Sequence, residues 1–449
     1  MSDQSPKPSV VIVGAGFAGV ACAKELAKHE ISVTLLDRHN YQQFQPLLYQ
    51  VATAELATTD VARPIRAIFA KSPTVTMRQL EITSIDPETR TVTASDGQTF
   101  TGDYLVISAG AKPNFFGTPG AEEHSFPLYS VPDAKKLRER VFELFEEATN
   151  NPELIDQGAL NFVIVGAGPT GVETAGALAD LVNEVMPKRH HQLEVNRTRI
   201  YLVDHGQVVL RAFSDQAHEY AASKLQHNGV KLMMGTGVKE VARNKVVLSD
   251  GSEILTRCVV WGGGIAASTV AASSGLPVTR GGCLRAEPDL SAEGHPNVFV
   301  IGDIASIPAP DGTTLPQLGS VAMQSGHWVG ENIVADMVGK PRKPFHYKDK
   351  GIMAMIGDGA AVAEMGKHHH ELHGHVAFAA WLGVHAWLMS GSRTRVDAFI
   401  AWASDFIGTS RASSIIDDPD KARIDWGDEE GDDEPLSDAP PAPAAASAG

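Results

Sequence analysis

The feature that most constrains how this chain can fold is a glycine-rich turn that occurs twice, roughly 150 residues apart. Each copy follows a short apolar run and precedes a helical pattern, which is the order of strand, tight turn and helix in a dinucleotide-binding unit. The turns contain Gly14, Gly16 and Gly19 in the first copy and Gly166, Gly168 and Gly171 in the second. The sequence therefore predicts an α/β fold with two Rossmann-like dinucleotide-binding domains.

Each glycine of such a fingerprint has its own task. The first makes the tight turn, the second lets a pyrophosphate approach the backbone, and the third lets the helix pack on the strand. The amide groups at the start of the helix favour the negative charge of the phosphates. The alternative is a strand-to-helix turn that binds nothing.

In both copies the next apolar run ends in an aspartate, Asp37 and Asp204. A carboxylate at this position is expected to accept hydrogen bonds from a ribose, and it disfavours a 2′-phosphate. Asp204 thus favours NADH over NADPH, although Arg211 and His205 are near enough in the sequence to reverse that preference. The alternative for either aspartate is an exposed loop acid.

Two dinucleotides in one chain indicate that electrons pass between them. A flavin and a nicotinamide are the usual pair, and the protein then supplies binding, orientation and exclusion of water. Three later apolar runs also end in small residues, which suggests backbone close to a ligand. These endings are Ala109-Gly110, Gly262-Gly263-Gly264 and Gly302-Asp303.

Charge and cysteine content argue against several other classes of protein. The formal net charge of -16 disfavours a nucleic-acid partner. The three cysteines form no CxxC pair, which argues against a zinc site, a disulfide framework and a redox-active dithiol. The histidines at 368–370, His373 and His375 lack a supporting carboxylate or cysteine pattern, so a solvated loop and no metal are predicted.

The C-terminal part predicts two amphipathic helices followed by a tail. One apolar stripe comprises Val396, Phe399, Ile400, Ala403, Phe406 and Ile407, and the other comprises Phe378, Trp381, Leu382, His385 and Leu388. Each stretch is too short to span a bilayer but suits a helix lying in the membrane interface, with Arg393 and Arg395 near the headgroups. The alternative is that the stripes pack on the protein itself or on a second copy in a homodimer. Residues 412–449 are acidic, then rich in Ala and Pro, and are predicted to be disordered.

Taken together, residues 9–411 resemble the type II (alternative, non-proton-pumping) NADH:quinone oxidoreductases, within the flavoproteins that have two dinucleotide-binding domains. The resemblance depends on residues 13–19, 166–173 and 301–303, on the helical C-terminal region, and above all on the family-specific stretch 44–52. It implies a glutathione-reductase-like fold in which an NADH domain is inserted in an FAD domain. The implied bounds are 1–116 and 285–344 for the FAD domain, 117–284 for the NADH domain, and 345–411 for the docking region.

The family implies FAD as cofactor, NADH as substrate, and a membrane quinone (menaquinone or ubiquinone) as acceptor. It also implies a peripheral, monotopic position on the cytoplasmic side of the cell membrane; no signal peptide is visible. The implied FAD contacts are Gly14, Gly16, Phe17, Ala18, Gly19, Asp37, Arg38, Ala109, Gly110, Gly302, Asp303 and Ala322. The implied NADH contacts are Gly166, Gly168, Pro169, Thr170, Gly171, Glu173, Asp204, Gly263 and Gly264.

The implied quinone pocket contains Phe44, Gln45, Pro46, Leu47, Leu48, Gln50 and Gln324. Glu173, Gln45 and Gln324 are the expected catalytic residues. The alternatives are an ordinary packed loop at 44–50, a dipole-complementing acid at Glu173 and an exposed turn acid at Asp303.

The sequence departs from the family pattern Ala-Gln-x-Ala-x-Gln, because Ser320 stands where the first Gln is common. Two other functions therefore stay open. One is a soluble NADH-dependent reductase of a ferredoxin or rubredoxin, and the other is a flavoprotein that binds NADH without turnover.

Overall fold

The structure is a computed structural model that describes residues 8–279, 281–366, 369–389, 391–407, 411 and 414–416. Side chains of the last helix are described for residues 395–402. The predicted acidic tail, the His368 end of the histidine run and the Arg393 side chain lie outside the described residues.

The first fingerprint belongs to a six-stranded sheet in which five strands are parallel and the edge strand Ser291–Ala292 is antiparallel. Its strands, in spatial order, are Ser291–Ala292, His295–Val300, Tyr104–Ile107, Ser9–Val13, Ser32–Asp37 and Val75–Gln79. Nearly all residues of Ser9–Val13 and Tyr104–Ile107 are buried, as expected for parallel strands covered on both faces. The chain order reverses beside Ser9–Val13, and ligands of open α/β sheets bind at such a switch point.

The second fingerprint belongs to a five-stranded, all-parallel sheet of the same design. Its strands, in spatial order, are Phe126–Pro127, Cys258–Trp261, Asn161–Val165, Arg199–Asp204 and Val230–Met234. The switch point lies between Cys258–Trp261 and Asn161–Val165. The two sheets confirm the predicted fold class, while the predicted domain bounds remain a prediction.

Three small antiparallel sheets and three two-stranded pairs complete the strands. The sheets comprise Ile82–Asp86, Thr91–Ala94 and Thr99–Thr101; Val238–Val241, Lys245–Leu248 and Glu253–Leu255; and Gly351–Gly357, Ala360–Met365 and His370–His373. The pairs are Tyr41–Gln43 with Ala62–Pro64, Ala111–Pro113 with Ile265–Ala267, and Leu284–Arg285 with Ala305–Ser306. The third sheet, named the C-terminal sheet below, packs on the helix of the second fingerprint.

Four long helices position the site. They are the first fingerprint helix Phe17–Lys28, the linking helix Val131–Asn150, the second fingerprint helix Pro169–Asp180 and the helix Gly319–Met337. The last is called the flavin helix below because the sequence resemblance implies an FAD contact on it, at Ala322. Ser130 caps the linking helix by accepting a hydrogen bond from the Asp133 amide. A π-helical turn, Leu181–Val185, continues the second fingerprint helix.

Of the other helices, Asp215–His227 and the last two have 13 to 16 residues, and the rest have four or five. In chain order these helices are Leu48–Ala52, Thr58–Val61, Ile65–Ile68, Ala121–His124, Met186–Arg189, Asp215–His227, Val270–Ser273, Gly374–Leu388 and Ser392–Ile407. The last two are the predicted C-terminal helices, which begin four residues earlier than the sequence pattern indicated.

The two predicted apolar stripes differ in how far they are buried. Trp381 and His385 are buried, and Phe378 packs partly against the same core, so this stripe faces the protein. On the next helix Phe399 and Ile400 are 63% and 60% exposed. Hydrophobic burial therefore explains the first stripe, while the second presents apolar side chains outward.

Among the described residues, no helix has the length and apolar character needed to cross a membrane.

Candidate active site

The first fingerprint turn is shaped by close backbone packing at its outer glycines. Gly14 has a φ of +97°, and a Cβ there would overlap the Ser108 carbonyl group. A Cβ at Gly19 would overlap the Gly14 carbonyl oxygen. A Cβ at Gly16, in contrast, would meet no atom of the described chain within 4 Å. The turn thus leaves open space only where a phosphate has to approach the backbone.

The second turn repeats this geometry. Gly166 has a φ of +100° and approaches the Gly262 carbonyl group, and a Cβ at Gly171 would overlap the Gly166 oxygen. Around Gly168 the described chain again leaves 4 Å of open space. Pro169 and Thr170, at the start of the helix, are exposed. Gly263 and Gly264 follow the neighbouring strand across the switch point, and Gly264 is exposed.

The two aspartates make matching hydrogen bonds. Asp37 Oδ2 accepts from the Ala15 amide at 2.6 Å, and its Oδ1 accepts from the His39 amide at 2.7 Å. Asp204 Oδ2 accepts from the Ala167 amide at 2.7 Å, and its Oδ1 accepts from Gly206. Burial raises the pKa of Asp37, and these amides lower it again. Each carboxylate is therefore held at the rim of its turn.

The flavin helix packs closely on the first fingerprint helix. A Cβ at Gly326 would overlap the Ala18 backbone, and a Cβ at Gly319 would touch the Phe17 ring. Gly302, with a φ of +71°, lies beside both Ala18 and Ala322. The structure therefore brings Phe17, Ala18, Gly302 and Ala322 together at one end of the first turn.

A cluster of polar side chains lies beside the first turn, and the sequence did not predict it. The Tyr129 hydroxyl accepts a hydrogen bond from the Ala111 amide at 3.1 Å, one residue after Gly110. Burial raises the pKa of Asp303 to about 6, and a hydrogen bond from Tyr129 lowers it in part. Gln45 Oε1 is buried and has no hydrogen-bond partner among the described residues. An orphaned acceptor of this kind indicates a missing donor. Arg38 is exposed next to Asp37.

Phe44 links the first fingerprint to the C-terminal helices. Its ring lies edge-on to Phe17 at 5.6 Å between centroids and edge-on to His385 at 6.2 Å. It also lines a small, open surface pocket with Gln42, Gln43, Asp60, Val61, Ala62, Arg63 and Met389. The pocket therefore opens between the Ala62–Pro64 strand and the end of the first C-terminal helix.

The rest of the 44–50 stretch is mostly packed inside the protein. Leu47 and Leu48 are fully buried in the large core. Gln50 is buried as well, and its Oε1 accepts from the Trp402 indole at 3.0 Å. Gln45 and Pro46 are partly exposed. Of the predicted quinone residues in this stretch, Gln45 and Pro46 are thus the ones with exposed surface, while Phe44 is buried and lines the pocket.

Glu173 is buried between the second fingerprint helix and the C-terminal region. Its Oε1 accepts a hydrogen bond from the Met355 amide at 3.2 Å. Burial raises the pKa of Glu173 to about 8, and contacts with Met355 and the Trp381 indole lower it in part. At neutral pH this acid therefore carries its proton.

Gln324 is used differently from the sequence expectation. Its amide donates to the Lys348 carbonyl oxygen and accepts from the Lys348 amide, both at 3.0 Å. Ser320 Oγ lies 2.9 Å from the Tyr347 hydroxyl, and both Trp328 and Asn332 donate to the Lys343 carbonyl. One face of the flavin helix thus binds residues 343–348, named the strap below, and the amide of Gln324 is engaged there.

The fold and the twin turns define the class of protein. The family model described as pyridine nucleotide-disulphide oxidoreductase matches residues 8–326. The chain is therefore a member of that class of oxidoreductases. A solved structure of NDH2 from Plasmodium falciparum in complex with NADH has the same fold, with a TM-score of 0.82, 19% identity, and coverage of 89% of this chain and 98% of that one.

Relatives of higher identity define the family within this class. The chain is 33% identical to the type II NADH:quinone oxidoreductase Ndh of Mycobacterium tuberculosis, over 91% of this chain and 90% of that protein. It is 30% identical to the type II NADH:quinone oxidoreductase of Staphylococcus saprophyticus, over 79% of this chain and 90% of that protein. The chain belongs to the type II NADH:quinone oxidoreductase family, which confirms the resemblance found in the sequence.

Proposed function

We propose that this chain binds FAD, oxidises NADH and passes the electrons to a membrane quinone. No step of this reaction moves ions across the membrane. The observation that carries this proposal is the matched pair of turns, each with open space above its second glycine. Phe44, which lies edge-on to Phe17, lines a candidate pocket for the acceptor. The protonated Glu173 on the second fingerprint helix would be the proton source.

The residues at the first turn fit FAD. The open space at Gly16 suits a pyrophosphate, Asp37 suits a ribose, and the unpaired Gln45 Oε1 suits a donor on the flavin ring. Ala109, Gly110, Gly302, Asp303 and Ala322 would line the remainder of the cofactor. When bound, FAD supplies the chemistry that takes a hydride from NADH and passes two electrons on.

The residues at the second turn fit NADH. Gly168 leaves room for the pyrophosphate, and the exposed Gly264 lies across the switch point for the nicotinamide half. Asp204 would accept from the ribose and disfavour the 2′-phosphate of NADPH. His205 contacts the same carboxylate, with 3.5 Å between Nδ1 and Oδ1, but leaves both backbone hydrogen bonds of Asp204 in place.

The acceptor would enter the pocket lined by Phe44, Arg63 and Met389. Phe44 forms its inner wall and contacts Phe17, so a planar quinone in this pocket would approach the flavin side of the first turn. Gln45 and Pro46 lie next along the chain. Leu47, Leu48 and Gln50 would support this wall from the core, and Gln324 would act through the strap.

The exposed apolar side chains of the C-terminal helices support docking on a membrane surface, which we propose is the cytoplasmic face. Val376, Trp387, Val396, Phe399 and Ile400 are each more than half exposed. The Lys350 ammonium lies 5.7 Å from the centroid of the Trp387 ring. An aromatic ring with a cation beside it suits the boundary between headgroups and acyl chains.

Replacing Trp387, Phe399 and Ile400 together with serine is expected to weaken binding to lipid vesicles at least about tenfold, because each exposed apolar side chain contributes roughly 1–2 kcal/mol when buried. Vesicle flotation measures the effect, and flavin content should stay normal. The matched control is Val278→Ser with Val338→Ser, which removes exposed apolar groups away from the C-terminal helices. Flotation equal to wild type in the triple variant would contradict the docking proposal.

The function itself is tested anaerobically with the purified protein. NADH should remove the visible absorbance of the flavin, and a soluble quinone should restore it faster than a ferredoxin does. Restoration by ferredoxin alone would favour the soluble reductase. A flavin that NADH cannot bleach would favour the binding protein without turnover, and a protein that stays colourless after refolding with FAD would remove the proposal.

A further inference from the structure

Trp381 joins the C-terminal region to the proposed proton donor. It lies on the helix Gly374–Leu388 and is fully buried. Its ring stacks on His385 at 4.0 Å between centroids and lies edge-on to Tyr49 at 6.5 Å and to Trp402 at 6.0 Å. These contacts hold the indole in one orientation.

The indole N–H of Trp381 faces the Glu173 carboxyl group but does not complete a hydrogen bond. It is close enough to favour the ionised form of that acid. Among the described residues, however, Trp381 Nε1 has no hydrogen-bond partner, although it is buried. A buried donor without a partner is costly. Because Trp381 lies beside an acid, we expect its indole N–H to form a hydrogen bond when Glu173 becomes a carboxylate.

Few other groups around Glu173 could stabilise its carboxylate. The Met355 amide already donates to Oε1 at 3.2 Å. On the elements packed around it, Tyr49 interacts electrostatically with Glu173, as well as with Glu55 and Asp180, and His385 stacks on Trp381. Burial raises the pKa of Tyr49 and lowers the pKa of His385 to about 4, so both are neutral near pH 7. None of these supplies a positive charge to a Glu173 carboxylate.

We infer that Trp381 is a positioning residue whose indole N–H binds the Glu173 carboxylate after Glu173 has given its proton to the reduced quinone. In this step the O–H bond of Glu173 breaks and one of the two O–H bonds of the quinol forms; the two electrons and the other hydrogen of the quinol would come from the hydride of NADH through the flavin. The negative charge passes to Glu173, where the Met355 and Trp381 N–H groups stabilise it. Water later returns the proton. The inference rests on the proposed function.

The test is Trp381→Phe, which keeps an aromatic ring and removes the N–H. We expect the pKa of Glu173 to rise by about one unit, and quinone-dependent reoxidation at neutral pH to slow about tenfold, because a charge-assisted hydrogen bond is lost. The first effect is measured without quinone, by infrared titration of protonated carboxyl groups. Subtracting the spectrum of Glu173→Gln assigns the Glu173 signal.

Two further variants make this test decisive. Trp381→His restores a ring N–H and should recover part of the shift; it also serves if Trp381→Phe fails to fold. Trp328→Phe removes an indole that donates to Lys343 at 3.0 Å, and should leave the titration unchanged. An unmoved Glu173 titration in folded Trp381→Phe, or an equal shift in Trp328→Phe, overturns the inference. Absence of a Glu173 signal near pH 8 in wild type would instead count against Glu173 as the proton donor in the proposed function.

Discussion

Replacing Gly168 with alanine is expected to give a folded, yellow protein whose KM for NADH is at least about tenfold higher, a loss of roughly 1.4 kcal/mol or more. The backbone at Gly168 has φ −73° and ψ −176°, which alanine adopts without strain, and no described atom lies within 4 Å of the added Cβ. The methyl group therefore does not disturb the free chain and occupies only the space left for a pyrophosphate. Steady-state kinetics and the flavin absorbance measure the two expectations.

The matched variant is Gly16→Ala, with φ −72° and ψ −161° in equally open space. It should fold but lose FAD during purification, while still binding NADH in calorimetry. The pair separates the two nucleotides, because each variant is the control for the other. Loss of FAD in Gly168→Ala would mean that the two turns had been assigned to the wrong nucleotides.

Replacing Glu173 with glutamine is expected to slow quinone-dependent reoxidation of the flavin about 10²-fold or more, within the usual range for a lost general acid. Reduction by NADH should change little. The sign of the pH dependence follows from the buried acid. Below a pKa of about 8 Glu173 holds the proton that it donates, and above it the proton is gone, so the wild-type rate should fall as pH rises through 8. Stopped-flow absorbance at several pH values measures both reactions.

The control is Asp180→Asn on the same helix. Burial raises the pKa of Asp180 to about 7, and this carboxyl accepts from the Asp358 amide at 2.7 Å. This variant should keep the fall near pH 8, whereas Glu173→Gln should have a low, flat profile. A fall near pH 8 that survives in Glu173→Gln would assign the proton to another group.

Much of the fold could be predicted because it depends on short-range patterns. Buried parallel strands appear as apolar runs, and the small residues that end them are required by backbone contacts such as that of Gly14 with Ser108. The π-helical turn that continues the second fingerprint helix was not predicted. This helix packs on the C-terminal sheet, where a Cβ at Gly176 would overlap Ile356, and a local pattern does not show such a distant contact.

The site residues depend more on distant parts of the chain. Tyr129, Trp381 and His385 reach the site through tertiary packing, and only the helical stripe singled out the last two. Gln324 and Gln50 were predicted from the sequence to line the quinone pocket, but their side-chain amides bind Lys348 and Trp402. No local pattern shows whether an amide is engaged in this way, because its partners lie in other segments.

The strap is held to the flavin helix by Ser320, Gln324, Trp328 and Asn332, which recur at every fourth residue. Three of these contacts use the backbone of the strap. The strap, which leads towards the proposed docking helices, is therefore anchored to the same helix whose glycines pack on the first fingerprint helix. Tilting of the enzyme on a bilayer would move both as one body, so the depth at which a hydrophobic acceptor is received would be fixed by the architecture of the protein.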